Sequence, residues 1–149
     1  AISKNKVSSF IEYLDNYDTG DQQAVSHQNT DISFSPTIVA GANIRLLPVQ
    51  HIELSLMSKY VGKQYMDNSQ TETRKLNAFF VQDIRASWTI KKLFFAEWNI
   101  IGQVNNLFDK KYEPNGYTYN YIYNNTLTTE NGYYPMAGTN VMVGVNIRL

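Results

Sequence analysis

The side chains of this 149-residue chain that can recognise or transform another molecule are mostly tyrosines. Tyr117, Tyr119, Tyr121 and Tyr123 alternate, so an extended backbone sets four phenol rings on one face. Such ring faces take sugars, aromatic chelates or planar cofactors. The same rings also suit packing of one loop on another, or an aromatic belt. Asp15, Asp18 and Asp21 form an acidic cluster whose oxygens suit Ca²⁺, but the spacing is not that of an EF-hand and fits a solvated loop. His27 and His51 are isolated, so no metal site is expected. Asn124-Asn125-Thr126 has the pattern of a glycosylation acceptor. No nucleophile–base pair, phosphate loop or paired-carboxylate arrangement emerges. Neither catalytic residues nor a cofactor are expected, and the chain reads as a non-enzyme.

Composition narrows the class. Thirteen basic and thirteen acidic residues cancel, leaving no electrostatic footprint for a nucleic-acid partner. Cysteine is absent, which excludes disulfides and thiolate-held metals. No apolar run approaches the roughly 20 residues of a membrane helix. Strands that cross a membrane as a barrel show only alternation and look polar on average. Aromatics are 13% of the chain, and no segment carries helical apolar spacing, so the elements read as strands throughout. The start, Ala1-Ile2-Ser3-Lys4, has no methionine and no leader. A chain whose leader was removed and a chain that begins inside a larger protein both fit.

The elements that position these residues are organised around the last one. Val141, Val143, Val145, Ile147 and Leu149 alternate with Met142, Gly144, Asn146 and Arg148, the pattern of a strand with one apolar face. Upstream, strands are expected over Lys4 to Leu14, Phe34 to Leu46, His51 to Tyr60, Leu76 to Ile90 and Phe95 to Phe108. A bulge is expected near Val81, where Gln82 breaks the apolar row. Leu47-Pro48-Val49 and Lys91-Lys92-Leu93 read as short turns. Asp15 to Ser33, Gly62 to Lys75 and Asp109 to Ala137 read as long polar loops, the first with room for a hairpin. Connections therefore alternate long and short, the asymmetry of outer-membrane barrels. No charge falls on the apolar rows, while Arg45, Glu53, Lys59, Asp83, Arg85, Glu97 and Arg148 fall on the opposite ones. Trp88 and Trp98 sit near one rim, Tyr60 and Phe108 near the other, as interface aromatics do.

About six strands are too few to close a barrel, and an open edge is forbidden in lipid. The expected fold is an all-β, antiparallel up-and-down meander of about six strands, part of a large transmembrane β-barrel. Two alternatives stand beside it. A soluble lipocalin-like binding barrel would turn the apolar rows inward. A purely structural eight-strand membrane barrel would need a further hairpin within residues 1–35.

Val104-Asn105-Asn106-Leu107-Phe108-Asp109-Lys110-Lys111-Tyr112-Glu113 resembles the penultimate-strand segment of TonB-dependent outer-membrane receptors. Asn115-Gly116-Tyr117-Thr118-Tyr119, Tyr133 to Asn140 and the closing strand resemble that family's C-terminus, with a Bacteroidetes flavour; Ser58 to Tyr65 fits as well. The resemblance spans most of the chain and implies that residues 1–149 are the C-terminal segment of a plugged barrel of about 22 strands. It implies outer-membrane uptake of a scarce nutrient of siderophore, cobalamin or glycan class, with peptides also open. The partners implied are outer-membrane lipid, the plug and preceding strands, and an energising TonB complex. On this reading Val141, Val143, Val145, Ile147 and Leu149 face lipid and Met142, Asn146 and Arg148 the lumen. The sequon is then without meaning, as in any bacterial protein. One departure is the final Leu149, where the family usually ends in Phe.

Overall fold

The computed structural model describes the backbone of residues 1–149 except Phe95, and all side chains except those of Lys92, Leu93 and Phe95. Eleven strands are present among the described residues: β1 (Lys6–Asn16), β2 (Gln22–Asp31), β3 (Val39–Val49), β4 (Ile52–Val61), β5 (Gln64–Tyr65), β6 (Lys75–Leu76), β7 (Phe79–Leu93), β8 (Ala96–Asn105), β9 (Asn115–Tyr123), β10 (Thr126–Tyr134) and β11 (Asn140–Arg148). The chain divides into two compact units. One comprises Ala1–Val39, Val61–Ala78 and Tyr112–Met136; the other comprises Ala40–Tyr60, Phe79–Lys111 and Ala137–Leu149.

The second unit holds a five-stranded sheet in the order β11-β8-β7-β4-β3. These are the five clear strands of the sequence, joined as a meander. Short turns link β3 to β4 and β7 to β8. The sequence segments between β4 and β7, and between β8 and β11, are the long connections. Boundaries shift from expectation in informative ways. Pro48 lies inside β3 rather than in a turn, one residue before the strand's end. The turn falls one step later, with His51 at a φ of 72°. Lys91 and Lys92 likewise belong to β7, and the β7–β8 pairing shifts register between Ile90 and Leu93. The expected start of the next strand at Phe95 lies outside the described residues.

Pairing brings the alternating rows into line across three strands. Val141 pairs with Val104 and Val104 with Ile84; Val145 pairs with Ile100 and Ile100 with Trp88; Ile147 pairs with Trp98 and Trp98 with Ile90. The other face aligns Met142, Gln103 and Arg85, then Asn146, Asn99 and Thr89, with Arg148 opposite Glu97. Asn99 Nδ2 donates to Thr89 Oγ1 at 3.0 Å, and Arg45 meets Glu53 at 3.1 Å on the β3–β4 hairpin. One register thus serves both faces, because a strand's side chains alternate. The apolar face is uncovered: Trp88 is 50% exposed and Val143 75%. Leu149 follows the end of β11 and is fully exposed.

The segment after β8 is a hydrogen-bonded knot. Asn106 is buried and sits at a φ of 51°, a left-handed position that asparagine accepts more readily than most residues. Its Nδ2 donates to the Lys110 carbonyl at 2.9 Å and the Ala137 carbonyl at 3.2 Å. Its Oδ1 accepts from the Lys110 amide at 2.9 Å, and its own amide donates to Asp83 Oδ1 at 2.8 Å. Thr139 Oγ1 donates to its carbonyl at 2.7 Å. One side chain therefore ties the end of β8 to the approach to β11. Asn106→Ala should lower unfolding stability by about 2–4 kcal/mol, since buried groups lose partners and the φ is strained. Asn106→Gly should recover only the backbone part, about 1 kcal/mol. Denaturant midpoints of the three proteins check this; an alanine variant that melts with wild type would show the knot to be dispensable.

The first unit is built from two hairpins and a small two-stranded sheet. Its main sheet has the order β10-β9-β1-β2, and β5 pairs with β6. The polar stretch after β1 is therefore a hairpin, but one whose sheet continues to β9 rather than into the five-stranded meander. It supplies no missing barrel strands. No sheet closes on itself among the described residues, which removes both the lipocalin-like barrel and the complete eight-strand barrel. The buried apolar residues of this unit are Leu14, Val61, Tyr65, Met66, Leu76 and Ile122. Gly116 allows their approach: a Cβ there would stand 2.9 Å from Met66 Sδ and 2.7 Å from the Gly132 carbonyl.

Candidate functional site

The tyrosine row is realised on β9, within the first unit. Gly116 and Ile122 fill the buried face, while Tyr117, Tyr119 and Tyr123 are exposed and Tyr121 half-buried. The β9–β10 hairpin closes through Asn124 and Asn125, at φ of 51° and 55°. Two left-handed residues make the two-residue turn that matches strand twist, and asparagine suits both places. The sequon pattern is thus a turn signal.

Parallel pairing of β9 with β1 adds rings the sequence did not connect. Tyr17 stacks edge-on against Tyr121 at 5.3 Å, and Tyr119 lies 5.5 Å from Tyr121. The Tyr17 and Tyr119 hydroxyls share a hydrogen bond of 2.7 Å. That bond pushes the Tyr119 phenol up to about 12, with burial and the nearby Asp15 charge adding to it. Tyr121 Oη donates to Glu130 at 2.7 Å, which also raises its pKa. Both phenols therefore remain neutral donors at ordinary pH. Tyr117 has a different surrounding. It lies across Gly132, where a Cβ would come within 2.2 Å of its ring, and it tilts against Tyr134 at 6.2 Å.

The acidic cluster separates into individual contacts. Asp18 receives the amides of Asn124 and Asn125 on its two oxygens, at 2.9 and 2.8 Å, and so clamps the β9–β10 turn. Asp15 accepts from Gln22 Nε2 at 2.8 Å. Asp21 lies at the β1–β2 turn, its carbonyl accepting the Asn16 amide at 2.8 Å. No group of three metal-ligating side chains occurs among the described residues. His51 belongs to the other unit, at the β3–β4 turn.

His27 is more informative than its isolation in sequence implied. It bonds Glu12 at 2.8 Å and stacks on Phe10 at 5.9 Å. Glu12 in turn takes Arg74 at 2.6 Å, and Arg74 also meets Asp67 at 3.1 Å. The Arg74 side chain is only 3% exposed. This charged chain joins β1, β2 and the segment between β4 and β7. Nothing in the spacing of Glu12, His27, Asp67 and Arg74 announces it, because the partners meet only when the hairpins pack. Nearby, Glu72 binds Lys63, Tyr65 and Lys75 at the surface, and Lys63 above all holds its carboxyl down at about 2.

A cleft of about 420 Å³ opens in this unit, lined by residues 10–15, Asp67 and residues 118–120. Its volume lies within the usual range for small-molecule sites. It shares Asp15 and Tyr119 with the aromatic face, so the rings and the cleft adjoin.

With this geometry in view, the likeness to known structures is informative. The chain is similar to the crystal structure of the ferric yersiniabactin uptake receptor FyuA from Yersinia pestis, with a TM-score of 0.53 and 19% identity over 86% of this chain. The likeness is one of fold, that of a segment of an antiparallel β-barrel. The chain spans about a fifth of that receptor, the match covering 20% of its length. No protein-family model matches the sequence, and a search of curated proteins gives no significant match.

Proposed function

We propose that the chain is the C-terminal barrel segment of a TonB-dependent outer-membrane receptor that takes up a scarce small nutrient. The observation that carries this reading is the register of the five-stranded sheet. It aligns an uncharged apolar face across neighbouring strands and leaves that face exposed, while charges gather on the other. A soluble protein would cover such a face; a barrel wall presents it to lipid. Val141, Val143, Val145, Ile147 and Leu149 then face acyl chains, and Met142, Asn146 and Arg148 the lumen. The edge strands β3 and β11 are where the remaining wall pairs. The first unit, with its tyrosines and cleft, is the ligand-facing part. Plug and TonB contacts belong to the rest of such a receptor. The chain carries no chemistry of its own, and the ligand should be recovered unchanged.

Trp88 and Trp98 test the reading directly. In the full-length protein reconstituted into vesicles, brominated acyl chains should quench their fluorescence strongly, and a water-soluble quencher weakly. The reverse pattern would place the apolar face away from lipid and sink the membrane assignment.

A further inference from the structure

Among the described residues, β1 and β9 run parallel but pair only at Asp15 with Tyr121 and Asn16 with Ile122. Backbone polar groups of alternate residues point to opposite edges of a strand. The Tyr17 amide donates to the Ile122 carbonyl at 3.0 Å, while the Asn16 amide donates back into its own hairpin at Asp21. From Phe10 to Asn16, odd residues of β1 therefore aim their N–H and C=O groups toward β9, and even residues serve β2. On β9 the two-residue turn makes Tyr123 and Thr126 a bonded pair, so odd residues serve β10 and even residues face β1. Where the strands diverge, Ile11 and Tyr13 thus turn ladder groups toward those of Thr118 and Asn120 across the cleft. Backbone groups with no ladder partner on both walls of one cleft call for another backbone between them.

Charge narrows what that backbone carries. The cleft is lined by Glu12, Asp15 and Asp67 and by no lysine or arginine. Among the described residues, Glu12 and Asp67 share Arg74, and Glu12 also bonds His27. Among the described residues, the partners of Asp15 are neutral, Gln22 and the Tyr119 hydroxyl. The cleft therefore carries excess negative charge, with the Tyr13 and Tyr119 rings beside it to receive a cation.

We infer that the β1–β9 seam binds a short extended peptide as an inserted strand, with a lysine or arginine side chain placed beside Asp15. This rests on the reading of the first unit as the ligand-facing part of a receptor. The test is calorimetric titration of the full chain with acetyl-Ala-Lys-Ala-Ala-amide. The expected result is saturable binding, weakened about tenfold or more when glutamate replaces lysine or when the peptide amides are N-methylated. Asp15→Asn should remove the preference for lysine over glutamate without affecting an all-alanine peptide. Absence of binding, or equal binding of the N-methylated peptide or of spermidine, overturns the inference. If peptide binding fails while lipid quenching of the tryptophans persists, only the seam is wrong. If quenching fails, the receptor reading falls on its own account.

Discussion

Val143→Arg on β11 should lower the stability of the lipid-inserted protein by about 2–4 kcal/mol, whereas Asn146→Arg should change it by less than about 1 kcal/mol. The two sites lie three residues apart on one strand, so propensity and position along the sheet are nearly matched. They differ in face: Val143 shares its row with Gly102 and Ala86, and Asn146 shares the opposite row with Asn99 and Thr89. On the proposed reading, an arginine on the first row is taken into hydrocarbon, or drags water and headgroups toward it. On the second it would stand beside Asn99 and Thr89, which hydrogen-bond to each other, on the row that the same reading turns to the lumen. Urea unfolding in lipid vesicles measures both. Equal costs at the two sites would mean that neither face is lipid-exposed, and the assignment of the sheet as a membrane wall would be withdrawn.

The second large effect belongs to Arg74. Burying a guanidinium and two carboxylates is costly, and the arrangement persists because each charge has a partner. Arg74→Met removes the cation and leaves Glu12 and Asp67 facing each other in a largely enclosed site. The expected loss is about 3–5 kcal/mol within the first unit. It should appear as faster hydrogen exchange in β1, β2 and residues 62–76, with β8 and β11 little changed. Adding Glu12→Gln to Arg74→Met should restore part of the loss, because one of the two stranded charges is removed. A double variant no better than the single one would show that packing, rather than charge pairing, holds this segment.

The division between what was readable and what was not follows from the range of the forces involved. Alternation in residues 141–149, and in the strands before it, states which residues share a face, because period two is a local property of an extended chain. It was enough to give the five strands of the meander and the absence of charge on one row. The turn chemistry was also local, although Asn124-Asn125 read as a modification pattern until its left-handed backbone was seen. The same holds for Asn106, whose place in residues 104–113 gives no sign of its partners. Its side chain closes bonds to Lys110 and Ala137, the second of them 31 residues away.

The first unit was poorly legible for the opposite reason. Its strands are polar on both faces or interrupted, so β2 and β10 read as loop, and the sheet they join is set by pairings between distant hairpins. The pairing of Asp15 and Asn16 with Tyr121 and Ile122 spans most of the chain, and with the Asp18 contacts to Asn124 and Asn125 it brings Tyr17 to the tyrosine row and leaves the seam beside it. Arg74, Glu12, Asp67 and His27 carry no mutual spacing in the sequence; they form a group only after two hairpins and a 62–76 excursion have packed. By itself the sequence determined the strands, their two faces and the rings on β9, since each follows from alternation along one segment. The tertiary structure alone decided which strands are neighbours, which charges are buried together, and where an unpaired backbone edge remains, since each depends on residues far apart in the chain meeting in space.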